Sequence, residues 1–321
     1  MSADLGGMTV ETVLGRWPFA AQFLQEKGLA NVLDRPDTAL DVVVDPTVLQ
    51  DMAAFIAEME AFLGSGEEPV RELTIKGGRA KDGSPEPVAE LTARAGEVLC
   101  IVGPTGSGKS RLLADIEWVA RGDTPTGRHV LINGEVPDNR WRGGSGMHLV
   151  AQLSQNMNFV MDLSVRDFLS LHAESRQAPE PLEKIERIAT WANELAGEPF
   201  AMDTPITSLS GGQSRALMIA DIAVLSASPV VLIDEIENAG IDRRQALDIL
   251  IQQEKIVLMA THDPILALMG DRRVVIGGGA MTKVIAPSAG ERANLVELKA
   301  LDARLMELRR RLRAGEVLDQ I

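Results

Sequence analysis

Tyrosine is absent from the 321 residues, cysteine occurs once, and aromatic side chains make up 3% of the chain. The lone Cys100 excludes an intrachain disulfide and fits a reducing compartment; inside the apolar run "EVLCIVG" it reads as a small buried core residue. No apolar stretch reaches the roughly 18 residues that a membrane-spanning helix needs. The N-terminus also lacks the basic-then-apolar pattern of a secretory leader. The expectation is a soluble, cytoplasmic protein that meets a membrane only peripherally, at its inner face, through a partner. Positive charge is in deficit too: 32 Lys and Arg against 46 Asp and Glu leave a net charge of −14. Long-range repulsion then argues against nucleic acid as a partner. The remaining composition, 45% hydrophobic and 24% charged, is that of a globular chain with room for one large domain and a smaller companion.

Residues 1–66 read as a small all-α unit. "TVETVLGRW" and "PFAAQFLQEKG" suggest two short helices broken at Pro18, the second closed by Gly28. In "DPTVLQDMAAFIAEMEAFLG", Asp45 can cap and Pro46 suits a first helical turn. Val48, Met52, Phe55, Ile56, Met59 and Phe62 then share one face. "GSGEEP", 64–69, reads as a linker. Over 67–290, β-like runs alternate with helical patterns, the arrangement of a largely parallel sheet wrapped by helices. "EVLCIVG", "VVLID" and "KIVLMATHD" suit strands buried on both faces, and 163–198 are helical in pattern. In the tail, 291–321, Leu298, Leu301, Leu305, Leu308 and Leu312 alternate by three and four on a charged amphipathic helix, which packs on its own domain or meets a partner.

The chemistry begins at "GPTGSGKS", Gly103–Pro104–Thr105–Gly106–Ser107–Gly108–Lys109–Ser110, which follows a strand and opens a helix. Its glycines let backbone N–H groups turn inward around phosphate oxygens, and the helix N-terminus adds partial positive charge. Lys109 is placed to neutralise the β- and γ-phosphates, and the Ser110 hydroxyl to ligate Mg²⁺. This is a nucleoside triphosphate site. "VVLIDE" ends an apolar strand in Asp234, on the Mg²⁺ side of the phosphates, and Glu235, placed to take a proton from an attacking water. His262 in "MATHD" ends the next strand and so reaches the same carboxyl edge, where it reads as a γ-phosphate and water contact. The polar loop "SLSGGQS", 208–214, admits two readings: a helix-entry turn, and part of an active site on another molecule.

Phosphate loop, SGGQ, strand–Asp–Glu and strand–His, in this order and spacing, resemble the ATP-binding cassette (ABC) ATPases over roughly residues 70–285. The resemblance implies an α/β fold of P-loop NTPase type, with a mostly parallel core sheet and a helical signature subdomain over about 156–215. It implies ATP and Mg²⁺ as ligands, ATP hydrolysis, and a second ABC subunit, expected to be an identical chain, paired head to tail. Ser210, Gly211, Gly212 and Gln213 would then close on the ATP held by the partner. Gln155, ten residues before Val165 and preferred for that interval to Gln152, matches the glutamine that senses Mg²⁺ and the γ-phosphate. Asp242 matches the acid of the loop that crosses the dimer interface.

The chain departs from the family's pattern in several places. "DEIENAGID" replaces the usual "DEPTSALD"; Arg111, where threonine is usual, would add a cation near the α-phosphate; Asp221 stands where arginine is typical. "GGRAKDGSPEP", where an aromatic residue normally stacks on adenine, has none. Arg79 or Lys81 would cover the base instead, or base selectivity is loose. About 66 residues precede the first strand, more than a transporter ATPase subunit usually carries. The client implied is either a membrane permease or a soluble protein, such as a cytoplasmic metalloenzyme, that the ATPase remodels or activates. The long coiled-coil insertions of DNA-repair relatives have no counterpart here.

Overall fold

The structure, a computed structural model, describes residues 5–63, 69–142, 148–153, 159, 161–234 and 241–318. The linker reading at 64–68, Gln155, Glu235 and "IENAG" lie outside them.

The first helix, α1 (Val10–Arg16), starts where Thr9 Oγ1 accepts from Thr12 N at 3.3 Å. Helix α2 (Ala20–Glu26) follows Pro18 and stops before Gly28, whose φ of +76° turns the chain. A 3₁₀ turn at Ala30–Val32 and the four-residue α3 (Leu40–Val43) come next; segments that short show no legible apolar period. Asp45 Oδ1 accepts from Thr47 N at 2.9 Å to start α4 (Pro46–Leu63). These helices bury Trp17, Phe23, Leu24, Leu40, Met52 and Ile56 among themselves, with the Phe23 and Phe55 rings stacked at 5.1 Å. Each such side chain contributes about 1.5–3 kcal/mol on burial, so the segment has a core of its own.

Strand β1 (Glu72–Lys76) pairs antiparallel with β2 (Glu90–Arg94) and with β4 (His129–Ile132), a three-stranded sheet not foreseen from the sequence. The main sheet has six strands: β3 (Val98–Val102), β5 (Val150–Leu153), β6 (Val230–Asp234), β7 (Ile256–Ala260), β8 (Arg272–Gly277) and β9 (Ala280–Ile285). Their spatial order is β5-β6-β7-β3-β8-β9, parallel throughout except for the final β8–β9 hairpin. All five residues of the central β7 are buried, as a parallel strand covered on both faces requires. Alternate residues of β3 feed two cores. Leu99 and Ile101 meet the small sheet and α5 (Lys109–Glu117), whereas Val98 and Cys100 meet the helices of the opposite face. Burial pushes the Cys100 thiol up to about 12, and its Sγ lies 3.4 Å from the Leu266 carbonyl.

Helices α6 (Val165–Ser175), α7 (Pro181–Leu195) and α8 (Gly211–Leu225) form the helical subdomain. Helix α8 is shared between two cores. Ala216, Ile219 and Ala223 face the sheet, while Leu217, Ala220 and Leu225 face α6 and α7. A helix covered on both sides is apolar around its circumference, which is why α8 reads as a run of Ala, Leu and Ile. Its one acid, Asp221, is 1% exposed and pairs with His172 Nδ1 at 3.1 Å and Arg176 at 3.7 Å on α6 and its C-cap. Asp221 thus serves a helix–helix contact. The N-terminal unit reaches this subdomain: Glu180 N, just before α7, donates to the Gly15 carbonyl at 2.9 Å.

Helices α9 (Arg243–Gln252) and α10 (Pro264–Met269) complete the cover of the sheet, and α11 (Ala289–Arg313) ends the fold. Ser288 caps α11 through Glu291, which is also held by Arg273 at 2.6 Å. The leucine stripe stays largely uncovered: Leu301, Leu305 and Leu312 are 54%, 53% and 57% exposed. Packing on its own domain therefore does not account for that stripe. Among the described residues no helix is long and apolar enough to cross a membrane.

Candidate functional site at the carboxyl edge of the sheet

The six residues 103–108 bridge the end of β3 to α5. Gly108 is the helix N-cap, with a φ of +112° that L side chains avoid, and a Cβ there would stand 2.9 Å from the Gly279 Cα. Gly106, at φ +76°, faces open space. Lys109 Nζ donates to the Gly103 and Pro104 carbonyls at 2.6 and 3.3 Å, so the ammonium is held across the mouth of the loop. The Ser107 hydroxyl is buried without a hydrogen-bond partner among the described residues. A loop with open space at its glycine, a positioned ammonium and an unspent buried hydroxyl fits a polyphosphate.

Sheet register brings the second set of residues to the same edge. Asp234 pairs with Ala260 and Ala260 with Ile101, so the ends of β6, β7 and β3 lie in one row. Gly103 and His262 each follow two residues beyond that row. Thr261 N donates to the Ile101 carbonyl at 3.2 Å, fastening the His262 segment to the strand that carries the phosphate loop. Ser110 is exposed on the first turn of α5. Ser110 and Asp234 are oxygen donors of the kind Mg²⁺ takes, and both belong to this edge. Among the described residues no cluster of three His, Cys, Asp or Glu forms a separate metal cage.

The polar loop 208–214 sits elsewhere, at the start of α8. Ser210 Oγ accepts from Gln213 N at 3.3 Å, Gln213 Oε1 accepts from Ser210 N at 2.9 Å, and Gln213 Nε2 donates to the Glu198 carbonyl at 3.1 Å. This closed capping box confirms the helix-entry reading of the loop. Ser210 and Gly211 are exposed and Gly212 is half-buried. Asp242 caps α9, its Oδ1 accepting from Arg244 N and Gln245 N at 2.9 and 3.1 Å. Arg111 is exposed on α5.

Several supporting residues carry no sequence motif. The floor of the phosphate loop is the β8–β9 turn, where Gly279 N donates to the Ser107 carbonyl at 2.7 Å. Gly279 is held in turn by Arg128, whose Nη2 donates to the Gly279 carbonyl at 2.9 Å and whose Nη1 donates to Asp115 on α5 at 2.8 Å. Glu86 Oε1 lies 2.7 Å from the same Nη2, ion-paired but off the line of a hydrogen bond, and Glu86 Oε2 accepts from Met281 N. Arg128 and Glu86 side chains are fully buried and Asp115 is nearly so. Arg243 pairs with Asp263 at 2.9 Å and so ties the start of α9 to the residue after His262. No short motif holds both partners of any of these contacts, so spacing could not announce them.

Comparison with known proteins agrees with this geometry. The family model described as ABC transporter matches residues 88–238. An uncharacterised ABC transporter ATP-binding protein of Methanocaldococcus jannaschii is 49% identical over 247 residues, covering 77% of this chain and 94% of the relative. The sn-glycerol-3-phosphate import ATP-binding protein UgpC of Rhizobium meliloti is 31% identical over 207 residues, 61% of this chain and 56% of that relative's length. Among solved structures, cbiO1 of Clostridium perfringens, part of the ABC transporter complex cbiONQ, superposes with a TM-score of 0.51 at 23% identity. It covers 75% of this chain and 100% of that one, a likeness of fold alone. With a phosphate loop, strand-end acid and strand-end histidine on one sheet edge and a relative this similar along most of its length, the chain belongs to the ABC ATPase family and carries its nucleotide-binding domain.

Proposed function

We propose that this chain binds Mg-ATP at two composite sites of a head-to-tail homodimer and hydrolyses it to drive a membrane permease. The observation that carries the reading is the shared edge on which residues 103–110, Asp234 and His262 meet. Loop N–H groups and Lys109 bind and orient the triphosphate. Ser110, Asp234 and Gln155 would hold Mg²⁺, which when bound neutralises phosphate charge. Glu235 takes the proton of the attacking water, and His262 positions that water against the γ-phosphate. Ser210, Gly211, Gly212 and Gln213 of one subunit close on the ATP of the other, and Asp242 faces the interface between them. The exposure of Ser210 and Gly211 supports that role, since their capping box leaves the outer face of the loop accessible. The import role of the Rhizobium relative supports a permease as client. In that role the chain sits in the cytoplasm against the inner face of the membrane.

Glu235→Gln tests the scheme. ATP should still bind while hydrolysis falls by about a hundredfold or more, the lower range of general-base catalysis. The variant should accumulate as a dimer with ATP and Mg²⁺, and a polytopic membrane protein should co-purify from native cells. A monomer at saturating ATP would overturn the composite homodimer. A soluble enzyme recovered in place of a permease would make the chain a remodelling factor, the reading that its extra N-terminal helices favour.

A further inference from the structure

The loop between β1 and β2 carries Lys81 against the phosphate loop. The turn is closed locally: Ala80 N donates to the Ser84 carbonyl at 2.8 Å, and Asp82 Oδ1 accepts from Ser84 N at 3.0 Å. It is docked at one point on the floor of the site, where Lys81 N donates to the Gly278 carbonyl at 2.9 Å. From there the Lys81 side chain crosses the next residue, Gly279; a Cβ on Gly279 would stand 2.8 Å from Lys81 Cγ. The ammonium ends on the phosphate loop itself, donating to the Gly106 carbonyl at 2.9 Å. Lys109 grips the carbonyls at the start of the loop and Lys81 the carbonyl at its middle, so two cations from separate elements flank one short segment. Arg79 takes a different direction, its Nη1 lying 3.4 Å from the Gly83 carbonyl in its own turn.

We infer that Lys81 is a second phosphate-binding cation of the nucleotide site and does not cover the base. The inference rests on the Mg-ATP reading above. A lysine ammonium has three donors; one is committed to Gly106, which leaves two for phosphate oxygens. An ammonium is a compact point charge suited to phosphate oxygens, whereas stacking on a base plane favours guanidinium or an aromatic ring. With no aromatic residue in 77–87, affinity from this loop is charge on the phosphates, which all nucleoside triphosphates share. Base selectivity is correspondingly weak.

The test uses the full chain, with displacement of a fluorescent ATP analogue by ATP, GTP and ADP over a series of salt concentrations. Lys81→Met should weaken ATP and GTP by the same factor, about five- to tenfold for a charge-assisted contact partly screened by solvent. The salt dependence of ATP affinity should flatten, and Lys81→Arg should restore most of the loss. A selective loss of ATP over GTP would overturn the inference in favour of a base contact. Equal weakening with an unchanged salt dependence would also overturn it, in favour of a mere brace for the loop. Unchanged affinities for both nucleotides would do the same. Failure of the unaltered chain to bind ATP at all would instead bring down the ATPase reading on which the inference stands.

Discussion

Two glycine-containing loops open two helices of this protein, and they use glycine in opposite ways. In the phosphate loop Gly106 and Gly108 have positive φ, and at Gly108 even a methyl group would meet the neighbouring turn. These glycines are demanded by the chain's own fold. At the start of α8, Gly211 has no such backbone requirement, and a Cβ there meets nothing within 4 Å. The capping box of Ser210 and Gln213 supplies the local stability. A glycine that the fold demands is explained by its surroundings, and the surroundings of Gly211 do not demand it.

The largest effect is expected beneath the phosphate loop. Arg128→Met would leave Asp115 and Glu86 buried without their cation, and breaking a buried pair in this way costs about 3–5 kcal/mol. Thermal unfolding should show a large fall in Tm, and ATP binding should weaken with it, because the Gly279 turn under Ser107 loses its anchor. A Tm within a degree or two of the unaltered chain would mean the floor stands without Arg128.

The signature helix is tested at its other end by Lys255, whose Nζ donates to the Ser226 and Ser228 carbonyls at 2.6 and 2.9 Å, just where α8 finishes. Burial lowers this ammonium from 10.5 to about 8. Between about pH 8 and 10 the unfolded chain therefore holds a proton that the folded chain has released, and folded stability from this group rises with pH by up to about 1.4 kcal/mol per unit. Below pH 8 both states are protonated and the contribution is flat. Chemical denaturation across that range should show the gap between the unaltered chain and Lys255→Met changing above pH 8 and level below it. A constant gap would mean that Lys255 stays charged in the fold.

Gly211 carries the smallest expected effect on folding. Gly211→Ala should change stability by no more than about 0.5 kcal/mol, the range of surface substitutions. If Gly211 lies against a partner's ATP, the same methyl group should lower turnover by about tenfold or more, the scale of a lost transition-state contact. Unchanged turnover would remove Gly211 from the composite site.

Much of the edge bearing the site was legible because the residues concerned are contiguous or end an apolar strand. "GPTGSGKS", "VVLID" and "MATHD" each mark where a strand meets its loop, and parallel register does the rest. The N-terminal α4 was legible for a related reason, an 18-residue helix long enough to show its apolar period. The three-stranded antiparallel sheet was not, since its strands are four or five residues long and β4 lies more than thirty residues beyond β2. Arg128 was invisible as well. A buried arginine looks in sequence like any surface cation, and only the fold brings Asp115 and Glu86 around it. Lys81 stands out in the sequence for the missing aromatic residue beside it, but its direction depends on Gly279, almost two hundred residues away.

The single cysteine leaves the native protein without a reactive thiol. Cys100 is fully buried in the central strand β3, its thiol pKa pushed up to about 12, so thiolate-directed reagents have almost nothing to attack in the native protein. The molecule is therefore a natural chassis for site-specific probes. A cysteine introduced on the uncovered stripe of α11 would be the one reactive thiol in the chain. A spin label or fluorophore there would report whether two copies come together when ATP is added, with no background site to engineer away.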